Sequence, residues 1–301
     1  MRAAIFSEYG GPEVLRVSEV DTPRAGAGQV RVRVRAAGVQ PYDLAVRAGW
    51  TPPGVTKPLP RIPGNEFAGV VDEVGAGATG VAAGAEVLGF GQLQAYAEYV
   101  VVPDSHVTPK PAAMPWEVAG GFTAGAQTAS LALEALSVDS GDVLVVHGAA
   151  GAVGTMAVQL AVRAGARVIG TAAPDNHDYL RELGATPVAY GDGLVERLRP
   201  FAATAALDGA GGEALDASLA LVADRRRILT LVDHERAAGL GVRVVEGVRS
   251  AQRLAGLAEL YAKGELRFHV RHTYPLDRAA DAHRELETGH GRGKIVLLLD
   301  H

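Results

Sequence analysis

Cysteine is absent from this 301-residue chain. That one absence excludes disulfides, thiolate nucleophiles and every zinc site built with cysteine. The nine histidines form no close His-x-x-x-His pair, so a compact histidine metal motif is missing as well. No basic run is longer than Arg225-Arg226-Arg227 and the net charge is -5, which argues against nucleic acid as a main partner. No apolar stretch reaches the roughly 18 residues of a membrane span, and residues 1–8 lack the long apolar region of a signal peptide. A cytoplasmic protein with no membrane partner is the expectation. Internal repeats and low-complexity linkers are also missing.

What is present is a chain with 48% hydrophobic residues, long enough for about two domains. Its organising stretch is 143–173. Val-Leu-Val-Val-His is followed by Gly148-Ala-Ala-Gly151-Ala-Val-Gly154, then by an apolar helical segment and a second apolar run, Arg167-Val-Ile-Gly-Thr-Ala-Ala. Strand, glycine turn, helix and strand in this order begin a dinucleotide-binding crossover. Gly151 lets the backbone approach a pyrophosphate and Gly154 lets the helix pack on the strand. The helix N-terminus, at Ala152 and Val153, offers N–H groups to the anion. In G-x-G-x-x-G register the first position is Ala149, with Gly148 beside it. The alternative is a glycine turn that binds nothing.

Residues 1 to about 110 read as short strands separated by glycine and proline. Val30-Arg-Val-Arg-Val-Arg alternates as a half-buried antiparallel strand does, and Phe67-Ala-Gly-Val-Val-Asp-Glu-Val and Ala97-Glu-Tyr-Val-Val-Val repeat the theme. From about Trp116 helices and strands alternate, which predicts a parallel, doubly wound sheet. Residues 276–286 form an amphipathic helix, Gly293-Lys-Ile-Val-Leu-Leu-Leu-Asp300 a closing strand, and this tail is expected to return to the first domain. The reading is an α/β chain: a mostly-β domain of residues 1–113 completed by 268–301, and a dinucleotide-binding domain of residues 114–267.

Five segments together resemble the medium-chain dehydrogenase/reductase superfamily, in its zinc-independent quinone oxidoreductase branch. They are Gly38-Val-Gln-Pro-Tyr-Asp43, Pro63-Gly-Asn-Glu-Phe-Ala-Gly-Val-Val71, Ala95-Tyr-Ala-Glu-Tyr-Val-Val-Val-Pro103, Gly148-Ala-Ala-Gly-Ala-Val-Gly154 and Gly293-Lys-Ile-Val-Leu297. The resemblance implies a GroES-like catalytic domain made of both chain ends and a Rossmann domain inserted between them. Zinc enzymes of the superfamily carry a histidine ligand in a Gly-His-Glu motif, which here reads Gly64-Asn65-Glu66. With no thiolate and Asn65 in that place, no zinc is expected.

The residue matching the carboxylate that selects NAD is Ala172, at the end of the second strand after Thr171. It cannot repel a phosphate, and Asn176 and His177 are neutral donors nearby, so NADPH is expected ahead of NADH. Asp175 argues the other way, unless it only caps the helix that starts there. By resemblance Thr128 approaches the nicotinamide, Tyr190 flanks the adenine, and the backbone of Leu231 and Val232 meets the carboxamide. Tyr190 is as well read as a buried tyrosine, and Asp208 as a structural strand end.

Hydride transfer without a metal needs a donor for the charge that develops on the acceptor. Gln40 and Tyr42 are the candidates, with Asp43 tying their loop to the backbone and Trp50 as an aromatic wall or a packing residue. Lys294 could reach a cofactor phosphate, although a lysine just before an apolar strand is ordinarily exposed. The function expected is reduction of a quinone or an α,β-unsaturated carbonyl compound, with a homodimer implied by resemblance. The alternative is a catalytically inactive nucleotide-binding redox sensor or structural protein on the same fold.

Overall fold

A computed structural model describes residues 1–301 except Lys57, His290, Asp300 and His301. The chain forms two compact units, Met1–Ala124 together with the segment from Ser250 onward, and Gly125–Arg249. The divisions thus fall after residues 124 and 249, against 113 and 267 expected from the sequence.

The first unit is built around the strand Gln29–Val39. Val30, Val32 and Val34 are fully buried while Arg31 and Arg33 between them are partly exposed, so the alternation seen in the sequence is the alternation of the sheet's two faces. A slip of one residue would turn the valines out and the arginines in, so burial pins the register. On the outer face Arg31 pairs with Asp72 and Glu73, both at 2.8 Å. The strand pairs antiparallel with Glu66–Val74 along one side. Along the other it pairs first with Tyr99–Pro103 and then, past Arg35, with Lys294–Leu298. The closing strand thus lies in the same sheet, Val270–Pro275 adding to it in parallel. Asp300, which the sequence reading included in that strand, lies outside the described residues. The expected helix over 276–286 begins as a 3-10 turn, Leu276–Arg278, and becomes α-helical at Ala279–Glu287. The core is made by Phe6, Val30, Val32, Phe67, Val71, Tyr96 and Leu297 with their neighbours.

The second unit carries a six-stranded parallel sheet. In spatial order the strands are Thr186–Ala189, Arg167–Ala172, Val143–His147, Ala205–Asp208, Ile228–Thr230 and Arg243–Val244. Numbered along the chain this is the order 3-2-1-4-5-6 of a Rossmann sheet. The strand order reverses between Val143–His147 and Ala205–Asp208, which pair directly. In such sheets the crevice at the carboxyl ends of the two strands flanking the reversal receives the ligand. Burial of Val145, Ile169, Val188, Ala206 and Ile228 against the helices makes the core. Among the described residues no helix is long and apolar enough to cross a membrane.

Candidate functional site

The glycine turn stands at the reversal point of the parallel sheet. Gly148, directly after the strand Val143–His147, has φ +69°, a conformation that costs glycine nothing and Ala149 a great deal. The irregular fingerprint is thereby explained: the glycine that makes the turn sits one place earlier, and Ala149 is buried with its N–H on the Thr171 carbonyl at 3.1 Å. A Cβ on Gly154 would lie 2.3 Å from the Gly148 oxygen and 2.7 Å from Ala149 Cα. Only glycine lets the helix Ala152–Arg163 come this close. At Gly151 the situation is the reverse, since a Cβ would meet only the Gly148 oxygen, at 3.3 Å, and otherwise open space. Gly151 caps the helix without a side chain, and the N–H groups of Ala152, Val153 and Gly154 have no carbonyl one turn back to bond.

Around the turn the carboxyl ends of the strands converge. Thr171 Oγ1 is 3.0 Å from His147 Nδ1, both buried, and burial lowers His147 to about 4 against the pull of Asp208. Ala172 ends its strand nearly buried, its carbonyl 3.4 Å from His177 Nε2. Asn176 follows, partly exposed, at the start of the helix His177–Glu182. Asp175 does not cap that helix: it lies inside the 3-10 turn Pro174–Asn176, and neither cap position makes a side-chain cap bond. Tyr190 follows Ala189, the residue paired with Ala172, and is 52% exposed. Its reading as a buried tyrosine is therefore overturned.

Asp208 is structural, as expected. Its Oδ1 accepts the N–H groups of Ala210 and Gly211 and its Oδ2 the Thr230 hydroxyl, at 3.0, 2.7 and 2.8 Å. The Asp208 carbonyl accepts from Leu231, leaving Val232 half exposed on the rim. Thr128 is partly exposed in the helix Trp116–Ala135, one turn past Gly125, which lies against the Ala152 carbonyl.

The first unit contains a second constellation. Gln40 is the N-cap of the short helix Pro41–Arg47, and the buried Asp43 carboxylate accepts its N–H at 3.1 Å, that of Gly64 at 3.0 Å and the Tyr96 hydroxyl at 3.0 Å. Burial pushes Asp43 up to about 7 against Lys294 and these donors. Behind Tyr96 stands His283, with Nε2 at 3.3 Å from the phenol oxygen and Nδ1 at 3.4 Å from Arg47. A guanidinium only donates, so Nδ1 accepts and Nε2 carries the proton. Burial, then Arg47, lowers His283 to about 3.

The Gln40 side chain is engaged at both ends, Nε2 donating to Asn65 Oδ1 and Oε1 accepting from Lys294 Nζ at 3.3 Å. Lys294 is 4% exposed and 2.6 Å from the buried Glu66, contrary to the expectation of a solvated lysine. Its strand register sets it opposite Gln40, and the acid was waiting there. Tyr42 packs edge-on against Trp50 with ring centroids 5.3 Å apart, and Trp50 is 47% exposed.

Comparison with known proteins gives two family matches, the second of which runs on from the second unit into the C-terminal segment of the first. Residues 26–112 match the alcohol dehydrogenase GroES-like domain family and residues 183–297 the zinc-binding dehydrogenase family. The quinone oxidoreductase of Rattus norvegicus is 28% identical, covering 99% of this chain and 98% of its own. The chloroplastic NADPH-dependent alkenal/one oxidoreductase of Arabidopsis thaliana is also 28% identical, over 99% of this chain and 79% of that protein. The solved quinone oxidoreductase of Coxiella burnetii superimposes with a TM-score of 0.91 at 29% identity, over 100% of this chain and 99% of that one.

The chain belongs to the medium-chain dehydrogenase/reductase superfamily.

In this oxidoreductase of that superfamily Asn65 stands where, by the resemblance, the zinc members carry a histidine ligand. The chain has no cysteine, Asn65 Oδ1 is occupied by Gln40, and Glu66 is held by Lys294 and by the N–H of Ala124 at 2.6 Å. Among the described residues no three His, Asp or Glu gather as a metal-binding group. The nucleotide turn, by contrast, fits a pyrophosphate: a methyl group at Gly151 would meet only the Gly148 oxygen, which leaves the approach to the helix N-terminus open there. Neither Lys294–Glu66–Gln40 nor His283–Tyr96–Asp43 was foreseen from sequence. No local signal marks them, because their members are up to 254 positions apart.

Proposed function

We propose that this chain is a zinc-independent, NADPH-dependent reductase of quinones or α,β-unsaturated carbonyl compounds. The observation that carries this reading is the buried amide pair Gln40–Asn65, with Asn65, by the resemblance, at the place of the histidine ligand of zinc members. The names of the Rattus and Arabidopsis relatives support the substrate class.

The N–H groups of Ala152, Val153 and Gly154, with Gly151 leaving the approach open, hold the pyrophosphate. Thr171, the small Ala172 and Asn176 accommodate the adenosine ribose with its 2′-phosphate, and the exposed ring of Tyr190 covers the adenine. Thr128, Leu231 and Val232 hold the nicotinamide end. When bound, the reduced nicotinamide supplies the hydride. Gln40 donates an N–H to the acceptor oxygen, and Tyr42 with Trp50 forms an aromatic wall for a planar acceptor. A conjugated acceptor spreads the new negative charge, so an oriented hydrogen bond suffices where an isolated carbonyl calls for a Lewis acid.

Stopped-flow oxidation of bound NADPH by 1,4-benzoquinone and by a simple enal tests the proposal. Acceptor-dependent oxidation is the expected result. Tight NADPH binding with no oxidation by any of a broad panel of quinones and enones would refute it and leave a nucleotide-binding sensor.

A further inference from the structure

Lys294 faces two oxygens, and the second of them decides the orientation of the Gln40 amide. The antiparallel register Ile295 to Val39 sets Lys294 opposite Gln40. Glu66 reaches the same place because residue 38 is glycine: a Cβ there would lie 2.1 Å from Glu66 Oε1. The ammonium is 2.6 Å from that carboxylate oxygen and 3.3 Å from Gln40 Oε1. An ammonium has three donors and no acceptor, so the amide atom facing it is the carbonyl oxygen. A reversed amide would set its NH2 against the charge. The nitrogen is therefore turned to Asn65, whose Oδ1 takes one of its two N–H groups. The other N–H has no partner among the described residues.

We propose that Lys294, backed by Glu66, is a positioning residue that locks the Gln40 amide with its remaining N–H available to the acceptor oxygen. The cation on the carbonyl end also polarises the amide, making each N–H a stronger donor. The proposal rests on the reading of Gln40 as the donor to the substrate. Lys294 itself touches no reacting atom.

Removing Lys294 alone would leave Glu66 as a buried, unpaired charge and endanger the fold, so the test uses the double variant K294M/E66Q, with Q40L beside it. One readout is independent of turnover. In a 15N-glutamine-labelled sample the Gln40 side-chain amide is assigned by its loss in Q40L. In the parent the N–H bonded to Asn65 is expected to exchange slowly, and in K294M/E66Q at least about tenfold faster. The second readout is kinetic. K294M/E66Q is expected to lower kcat/KM for a quinone about ten- to hundredfold, with the Kd for NADPH within about twofold of the parent, a folding control. Adding Q40L to it should bring no further loss, because both remove the same oriented donor. Unchanged exchange in K294M/E66Q, or losses that multiply with those of Q40L, would overturn the proposal. A loosened amide in K294M/E66Q together with parental turnover by Q40L would overturn the donor reading of Gln40 and with it the catalytic part, while the orienting contact would be shown.

Discussion

Two glycines three residues apart should respond in opposite ways to the same methyl group. Gly151 has φ -72° and ψ 173°, an extended conformation open to alanine. Its Cβ would touch only the Gly148 oxygen, at 3.3 Å. In Gly151→Ala the lower entropy of the unfolded chain adds about 0.4–1 kcal/mol, and alanine is a poorer N-cap than glycine by a similar amount. The two nearly cancel, so the urea midpoint should hardly move. The methyl group, however, occupies the place assigned to the pyrophosphate. Losing one N–H contact to a charged group costs about 1.5–3 kcal/mol, a loss of roughly ten- to hundredfold in NADPH affinity. Gly154→Ala acts elsewhere. Its Cβ would lie 2.3 Å from the Gly148 oxygen and 2.8 Å from the Ala149 carbonyl carbon, backbone atoms that cannot rotate away. Overpacking of this kind costs about 1–3 kcal/mol, visible as a lower urea midpoint with no ligand present. Urea denaturation and fluorescence titration with NADPH on both variants give the four numbers. If Gly151→Ala keeps its stability and binds NADPH within about twofold of the parent, the phosphate does not sit on this turn.

Three other outcomes follow from the same structure. With the uncharged Ala172 at the end of the second strand, NADPH should bind more tightly than NADH, and equal dissociation constants by fluorescence titration would remove that argument. His283, lowered to about 3 by burial and Arg47, binds fewer protons folded than unfolded below about pH 6.5. Its stabilising effect is therefore complete above that pH and is lost as pH falls toward 3. His147, lowered to about 4, acts in the same direction, whereas Asp43, raised to about 7, makes stability fall as pH climbs from about 4 to 7. His283→Gln, which can keep one acceptor and one donor, should reduce the slope of stability against pH between about 4 and 6 by about 1.4 kcal/mol per unit; urea melts with an unchanged slope would contradict the neutral, buried ring. Finally, protein purified in the presence of zinc should retain less than one equivalent by metal analysis. One tightly bound, activity-linked zinc per chain would show that other groups replace the missing thiolates.

Much of the second unit could be read along the chain because its causes are local. The strand, glycine turn and helix of 143–163 are one continuous segment, and a phosphate cradle made of backbone N–H groups needs only the right φ values and the absence of two side chains. Even there the sequence was ambiguous about which glycine turns the chain, and only φ at Gly148 decided it. Ala172 could be located by counting to a strand end, but the exposure of Tyr190 could not. That depends on what packs over the ring, and no neighbour in sequence supplies it.

The absence of cysteine and the asparagine at position 65 determined, before any fold was known, that a thiolate-bound zinc cannot be assembled here, because composition sets the available ligands. The alternating valines of the strand Gln29–Val39 likewise determined which face is core. Only tertiary structure decided what Lys294 does. A lysine at the start of an apolar strand is solvated unless something compensates its burial, and the compensation comes from Glu66 and Gln40, 228 and 254 positions away. The same holds for His283, whose proton is assigned by Arg47 and whose neighbour Tyr96 lies 187 positions distant. Lys294 acquires its partners only when antiparallel pairing sets its strand beside Gln29–Val39, and His283 only when the helix Ala279–Glu287 packs near the helix Pro41–Arg47; both are properties of the folded unit and not of any local segment.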